Sequence, residues 1–536
     1  MLRRIALGLA VVVSLAALAV IAVDEMSSEA APSFEDQICG LEPEWLELIR
    51  RGYYPDTAGQ ISILPDTPAY MAGGGRGWSH SGPWPYLQHV PLVFYGPGRV
   101  PALGDVSRAA TTADIAPSIA GLLKGVIQGD GRALPEVARL DRELLRRTVP
   151  RLIVTVVLDG AGWNVLERWP DAWPTLARMM EDGVSYTEAT VGSSPSVTPS
   201  IHTTLGTGHF PATHGISSVE MRDESGEVVD AFFDGESSRF IQVPTIAELW
   251  DKQNGNEALV GMVGHVPWHL GMIGKGAEDA GGDRDHAAWL DEETNAWTTN
   301  QEHYEFPSGF DDQADLSGRL DELDRSDGDQ DGTWREVPLD DRTRVEEVPA
   351  FTGHHADKLI EMIETEGYGE DQVTDLLFTN FKQIDLLGHY FNMESIQVRD
   401  AVVAGDAALS DLVDHLEDTV GRGEYVVIVT ADHGQQPDED AVDGYGIDPN
   451  ELFADLVSEF GPVVEDVAPT EIFLDEEELT ERGITIEDVA RFIADYRLRD
   501  NADGIAEQVL GSGEFSAGDR VFELAITAQL LERVSC

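Results

Sequence analysis

Residues 153–158 (IVTVVL) form an unbroken β-branched and apolar run, with none of the polar alternation of a half-exposed strand. Such a run reads as a strand buried on both faces, as in a parallel sheet covered by helices. Two more runs of this kind follow, TDLLFTN at 374–380 and EYVVIVT at 424–430, and a shorter one at 90–95 is closed by Gly96-Pro97-Gly98. Between and around them, helical periodicity predicts helices over 112–123, with Thr111 or Thr112 as cap, and over 136–147, 396–416 and 485–496. Buried strands alternating with helices predict an α/β fold around a mostly parallel sheet. Residues 217–371 are the weakest in periodicity and dense in Asp, Glu and turn residues, which predicts a cap or insertion outside that sheet.

Each long apolar run ends in residues able to do chemistry. Asp159-Gly160 follows the first, Asp385 and His389 the second, and Asp432-His433-Gly434 the third. A carboxylate at the carboxyl end of a parallel strand stands at the crevice where open α/β sheets bind ligands, so Asp159 is placed to hold a metal; a turn Asp before Gly is the plain alternative. Asp385 and His389 are four apart, so on a helical turn they face one way and can share an ion. Thr198-Pro199 reads as a helix start, Thr as N-cap and Pro at the first helical position, with 200–205 continuing the helix. The free N–H groups there attract anions, and a metal at Thr198 would lower its hydroxyl pKa enough to make it a nucleophile.

Together VVLDG, TPSIHTTLGTGHFPATHGI, DLLGH and TADHG resemble the type I phosphodiesterase/nucleotide pyrophosphatase branch of the alkaline phosphatase superfamily. The resemblance spans 51–123, 151–216 and 372–440 and implies a three-layer α/β/α sandwich. It implies two zinc ions, or another divalent ion, one held by Asp159, Thr198, Asp432 and His433 and the other by Asp385, His389 and a further His. Thr198 would attack phosphorus in line and form a phosphothreonine that water then hydrolyses. The implied substrate is a small phosphoester, with a nucleotide as one form of it. A phosphomonoesterase, a phosphonate hydrolase, a phosphoglycerol-group transferase and a non-catalytic tethered binding domain are the competing readings. Relatives often carry an Asn after HGI that holds a phosphate oxygen; here Ser217-Ser218-Val219 follow Ile216, so a serine hydroxyl or Lys382 must serve.

Composition narrows the setting. The 536 residues carry 98 acidic and 36 basic side chains, a formal charge of −62, which repels polynucleotides and anionic membranes and argues against nucleic-acid polymers as partners. Residues 5–23 are apolar and follow Arg3-Arg4, which reads either as an uncleaved membrane anchor or as a signal peptide cleaved near Ser28-Glu29-Ala30; both put the globular part outside the cytoplasm. Asp327, Asp329 and Asp331 match the first half of a calcium loop, but Pro338 stands where a bidentate Glu is needed, so a solvated acidic loop competes with a calcium site.

One stretch is out of its usual place. WSHSG, HVPLVFYGPG and TTADIAPS, at 78–118, resemble the carboxyl-terminal end of the superfamily domain, yet here they precede the nucleophile. No His follows His433, so the third ligand of the second ion is expected from His80, with His89 as the alternative. That order predicts a circularly permuted chain. The two cysteines, Cys39 and Cys536, flank the break and are expected to lie close enough for a disulfide, which an exported chain would form. The expected layout is 1–38 signal or anchor and tether, 39–124 the permuted end of the catalytic domain and 125–150 a connector. Residues 151–216 then carry the nucleophile, 217–371 a cap, and 372–536 the metal motifs and acidic helices.

Overall fold

The computed structural model describes residues 31–72, 77–138, 149–291, 294–310, 316–339, 348–442, 444–501 and 515–536. The apolar run at 5–23, and the connector helix expected over 136–147 from residue 139 on, lie outside these residues. Among the described residues no helix is long and apolar enough to cross a membrane.

In chain order the strands of the two larger sheets are β1 (Ile61–Pro65), β2 (Leu92–Tyr95), β3 (Gly104–Thr111), β4 (Leu152–Leu158), β5 (Val184–Thr190), β6 (Val260–Val263) and β7 (His286–Asp291). There follow β8 (Ala296–Thr298), β9 (Asp375–Phe381), β10 (Tyr425–Thr430), β11 (Val464–Val467), β12 (Glu471–Leu474) and β13 (Phe522–Thr527). Nine of them form one sheet in the order β8-β7-β6-β9-β4-β10-β2-β5-β3. Its centre, from β7 to β10, is parallel throughout, while β8, β2 and β5 introduce antiparallel pairs. Alternate residues of β4 enter different cores: Val154, Val156 and Leu158 pack on one face, Ile153 and Val157 on the other. Helices at Ala350–Glu366 and Ile396–Leu416 cover the first face, and those at Ile115–Leu122 and Ile246–Gln253 the second. This is the expected three-layer sandwich. An apolar run without alternation is what a strand with two buried faces requires.

Two expectations need correcting. Residues 217–371 do not all lie outside the sheet, because β6, β7 and β8 come from this stretch and extend it beyond β9. These strands are short, and the helix at Ala350–Glu366 packs behind them, so their local pattern carries little signal. At the helix Thr198–Thr207 the N-cap is Val197, not Thr198; Thr198 is the first helical residue and its side chain makes no capping bond. Its hydroxyl is engaged elsewhere.

A second, antiparallel sheet, β11-β12-β1-β13, joins a strand from near the start of the chain to three from its end. The helix Ile486–Ala494, capped by Thr485, lays its apolar face on it. A disulfide links Cys39 to Cys536, with Cα atoms 5.5 Å apart, so the two cysteines meet as expected.

Candidate active site

The register of the parallel strands builds the site. Phe381 of β9 pairs with Leu158 of β4, and Thr430 of β10 pairs with Val157, so Asp159, Lys382 and Asp432 leave the sheet at one level. Gly160 turns the chain at φ 71° and donates its N–H to Asp432 Oδ1 at 3.1 Å. A β-carbon there would come within 3.0 Å of the Asp385 backbone, so only glycine lets the first and second strand ends approach.

Asp159, Asp385 and Asp432 are 0–2 % exposed. Lys382, also buried, lies between two of them: its Nζ is 2.9 Å from Asp159 Oδ1 and 2.7 Å from Asp385 Oδ2, and it donates to Thr198 Oγ1 at 2.9 Å. Asn380 donates to Asp159 Oδ2 at 2.8 Å. Three carboxylates thus face one ammonium. Their charge keeps Lys382 protonated well above its ordinary range despite burial, and holds the His433 ring up to about 9, where burial alone would lower it. Burial dominates at His389 and lowers it to about 4. Burial would raise Asp385 and Asp432, but their neighbours outweigh it: chiefly the Lys382 ammonium at Asp385, and the His433 ring with a polar contact from His202 at Asp432, hold both carboxyls low.

The imidazoles are aimed in a common way. The Nδ1 atoms of His80 and His433 lie 3.1 and 3.0 Å from the carbonyl oxygens of Ser196 and Gly434, and that of His389 contacts the Trp78 carbonyl. A carbonyl only accepts, so each Nδ1 carries the proton and Nε2 is left to face the carboxylates. His80 Nε2 and His389 Nε2 lie 3.3 and 3.4 Å from Asp385 Oδ1; His433 Nε2 lies 3.5 Å from both Asp159 Oδ1 and Asp432 Oδ2. The His80 ring stacks on that of His433 at 3.5 Å. His89 is elsewhere, bonded to the Thr187 carbonyl at 2.9 Å, so of the two candidates the fold brings in His80.

Potential ligand atoms within 4.8 Å of one another form three overlapping groups here: His80, Asp385 and His389; Asp159, Asp385 and His433; and Asp159, His202 and Asp432. The sequence reading missed His202. It is fully buried, its Nε2 is 3.4 Å from Asp432 Oδ2, and its Nδ1 is 3.0 Å from His269 Nδ1. The one signal for it is spacing: four residues after Thr198 puts it on the same side of that helix. Asp385 Oδ1, Asp432 Oδ2 and His433 Nε2 are buried and have no hydrogen-bond partner. Orphaned carboxylate oxygens in a cluster whose carboxylates outnumber the ammonium suit divalent cations, and the mixed O and N donor set fits zinc.

Thr198, Lys382 and His389 open onto a cavity of about 400 Å³ whose other walls include Trp268, Asn450 and Phe453. Ser218 reaches it, whereas Ser217 is turned away to Thr57, 3.2 Å from its hydroxyl. The acidic loop at 327–331 takes no part. Asp327 accepts from the N–H groups of Asp329 and Arg335, and Asp331 from Thr333, so these carboxylates bond within their own turn and do not converge as a ligand set.

Residues 153–510 match the family model described as type I phosphodiesterase / nucleotide pyrophosphatase. The chain belongs to this family, within the alkaline phosphatase superfamily. The family's matched span contains Asp159, Thr198, His202, Lys382, Asp385, His389, Asp432 and His433 but begins after His80, which the fold alone brings to the others. Alkaline phosphatase PafA of Elizabethkingia meningoseptica is 24 % identical over 337 residues, covering 53 % of this chain and 60 % of that protein. A protein of Myroides odoratus named calcium-transporting ATPase is 24 % identical over 419 residues, 67 % of this chain and 74 % of its own. The crystal structure of wild type PafA has the same fold, with a TM-score of 0.53 at 20 % identity over 64 % of this chain and 76 % of that one.

Proposed function

We propose that this chain is an extracytoplasmic, two-metal phosphoester hydrolase of the phosphodiesterase/nucleotide pyrophosphatase type, acting through Thr198. The observation that carries the reading is Thr198 itself: its hydroxyl opens into the cavity, bonded to Lys382 at 2.9 Å, directly beside three buried carboxylates and the imidazoles aimed at them. The two relatives carry different activity names, so the site and not the name decides.

Asp159, Thr198, Asp432 and His433, with His202 beside them, would hold one zinc, and Asp385, His389 and His80 the other. Bound there, the ions would polarise the phosphoester, lower the pKa of a hydroxyl or water, and neutralise developing charge. The chain's own groups do the rest. The Lys382 ammonium favours the ionised form of the hydroxyl it touches. The Thr198 oxygen bonds to phosphorus as the bond to the leaving oxygen breaks; the leaving group takes up a proton and departs as an alcohol. Water then attacks the phosphothreonine, which frees phosphate or a monoester and restores the hydroxyl. Lys382 and Ser218, both on the cavity wall, are donors that would hold a non-bridging oxygen in place of the Asn that family members often carry.

The name of the PafA relative favours a second reading, a phosphomonoesterase on the same site. One experiment tests both. A nitrophenyl phosphodiester and the monoester are assayed side by side with wild type and Thr198→Ala, with zinc measured in each. Turnover should fall by about 10³-fold or more in the variant, with zinc content largely kept. Full activity of Thr198→Ala would sink the mechanism, and the ratio of the two wild-type rates decides between diester and monoester.

The segment order supports a rotated chain, with 39–124 as the end of the catalytic domain: β2 pairs antiparallel with β10, and His80 sits among the ligands. The Cys39–Cys536 bridge supports export, where disulfides persist.

A further inference from the structure

At the amino-terminal ends of β6, β7 and β9, a strand length from the catalytic cluster, lies a second group of carboxylates that the proposed reaction does not use. Asp251 is on the helix Ile246–Gln253, and Asp283 and Asp285 stand in the loop that enters β7. One oxygen from each lies within 4.8 Å of the others. Asp251 and Asp285 are 3 % and 8 % exposed, while Asp283 is at the surface.

Neighbouring buried carboxylates show how this fold normally satisfies such groups. Asp375 accepts from the N–H groups of Leu259 at 2.8 Å and Gly369 at 2.7 Å, and Glu248 from those of Thr245 at 2.7 Å and Lys275 at 3.3 Å. The trio is served less fully: Asp251 meets one backbone N–H, that of Ala258, and otherwise faces the Asp283 carboxyl. Asp251 Oδ1 is buried with no hydrogen-bond partner, and among the described residues no ion pair reaches any of the three. Lys252, whose charge is felt at Asp251 and Asp285, is itself paired with Asp279. Burial and the facing Asp283 push Asp251 up to about 7, and burial with the other carboxylates raises Asp285 well above its ordinary range.

We infer that Asp251, Asp283 and Asp285 form a binding site for a hard divalent cation, calcium by its preference for carboxylate oxygen, which ties the helix Ile246–Gln253 to the entry of β7. All three donors are oxygens, without the imidazoles of the catalytic centre, so the site selects calcium or magnesium over zinc. One open side at Asp283 gives an ion a way in and room for water ligands. The site is independent of the reaction at Thr198.

Calcium alone is the probe, titrated calorimetrically into the zinc-loaded full chain at about 0.3 M salt, where diffuse attraction by the acidic surface is screened to within several ångströms. Wild type should take up one calcium per chain and gain thermal stability with calcium concentration. Asp251→Asn and Asp283→Asn should each weaken that uptake by about tenfold or more, while zinc content and phosphoester turnover stay at wild-type levels. Asp283 is exposed, so its variant folds and decides the matter if the buried one does not. Equal calcium uptake by wild type and Asp283→Asn, or none by wild type, would overturn the assignment; magnesium binding in the same way, lost in the same variants, would keep the site and change the ion.

Discussion

Two groups of buried carboxylates, at opposite ends of the central sheet, are held in opposite ways. At the carboxyl ends, Asp159, Asp385 and Asp432 meet Lys382 and four imidazoles, and several of their polar atoms are left without a partner. At the amino ends, Asp375 and Glu248 meet backbone N–H groups and are fully bonded. The difference teaches where cations are needed. A carboxylate that receives two N–H bonds can stay buried unaided, whereas a cluster without them needs an ammonium or a metal to be held.

The sharpest way to break the comparison is Lys382→Met. It leaves Asp159, Asp385 and Asp432 without their ammonium, so in chelator the variant should lose about 3–5 kcal/mol of stability in denaturant titrations and recover part of it when zinc is returned. Turnover should fall by about 10²-fold or more. Wild-type stability in chelator would show that the cluster does not depend on this cation. Next comes His80→Ala, expected to lose about one zinc per chain by metal analysis; unchanged zinc and activity would remove His80 from the ligand set. At the other end, the Asp375 carboxyl is raised by burial from 3.8 to about 6. The folded chain therefore holds a proton between these values that the unfolded chain has released, and stability falls as pH rises through that window, by at most about 3 kcal/mol. Asp375→Asn should flatten this slope in denaturant midpoints measured from pH 4 to 7; an unchanged slope would place the proton elsewhere. The smallest effect is expected from Asp329→Asn, on an exposed turn: within about 0.5 kcal/mol of wild type, with no change in bound metal.

What could be read from sequence follows from how local each feature is. β4 and β10 were legible because a strand covered on both faces must be apolar at every position, and Asp159 and Asp432-His433 because they directly follow those strands. His202 was not: the helix TPSIHTTLGT is buried all round, so no polar face marks the residue that looks toward Asp432. β6 was hidden for another reason. It has four residues, and Gly261 within it breaks the apolar run where the side-chain ends of Tyr368 and Met362, from the Ala350–Glu366 helix and the turn after it, pack close. The acidic clusters make the same point from both sides. Asp327, Asp329 and Asp331 have the spacing of a calcium loop but bond to their own backbone, while Asp251 and Asp283 are 32 positions apart in sequence and meet only through the fold. Spacing finds ligands that share a turn. It cannot find ligands that share only a strand order.

The bond between Cys39 and Cys536 spans 497 positions and so makes nearly the whole chain a covalent ring. A ring cut once is still one molecule. A protease that nicks the exposed 327–331 turn would leave the stretch carrying Thr198 and the stretch carrying Asp385 and Asp432 joined through sulfur, and a nicked protein would run as a single species until a reductant was added. Losing half of the centre then takes two events, hydrolysis and reduction, and in an oxidising compartment the second is the rarer.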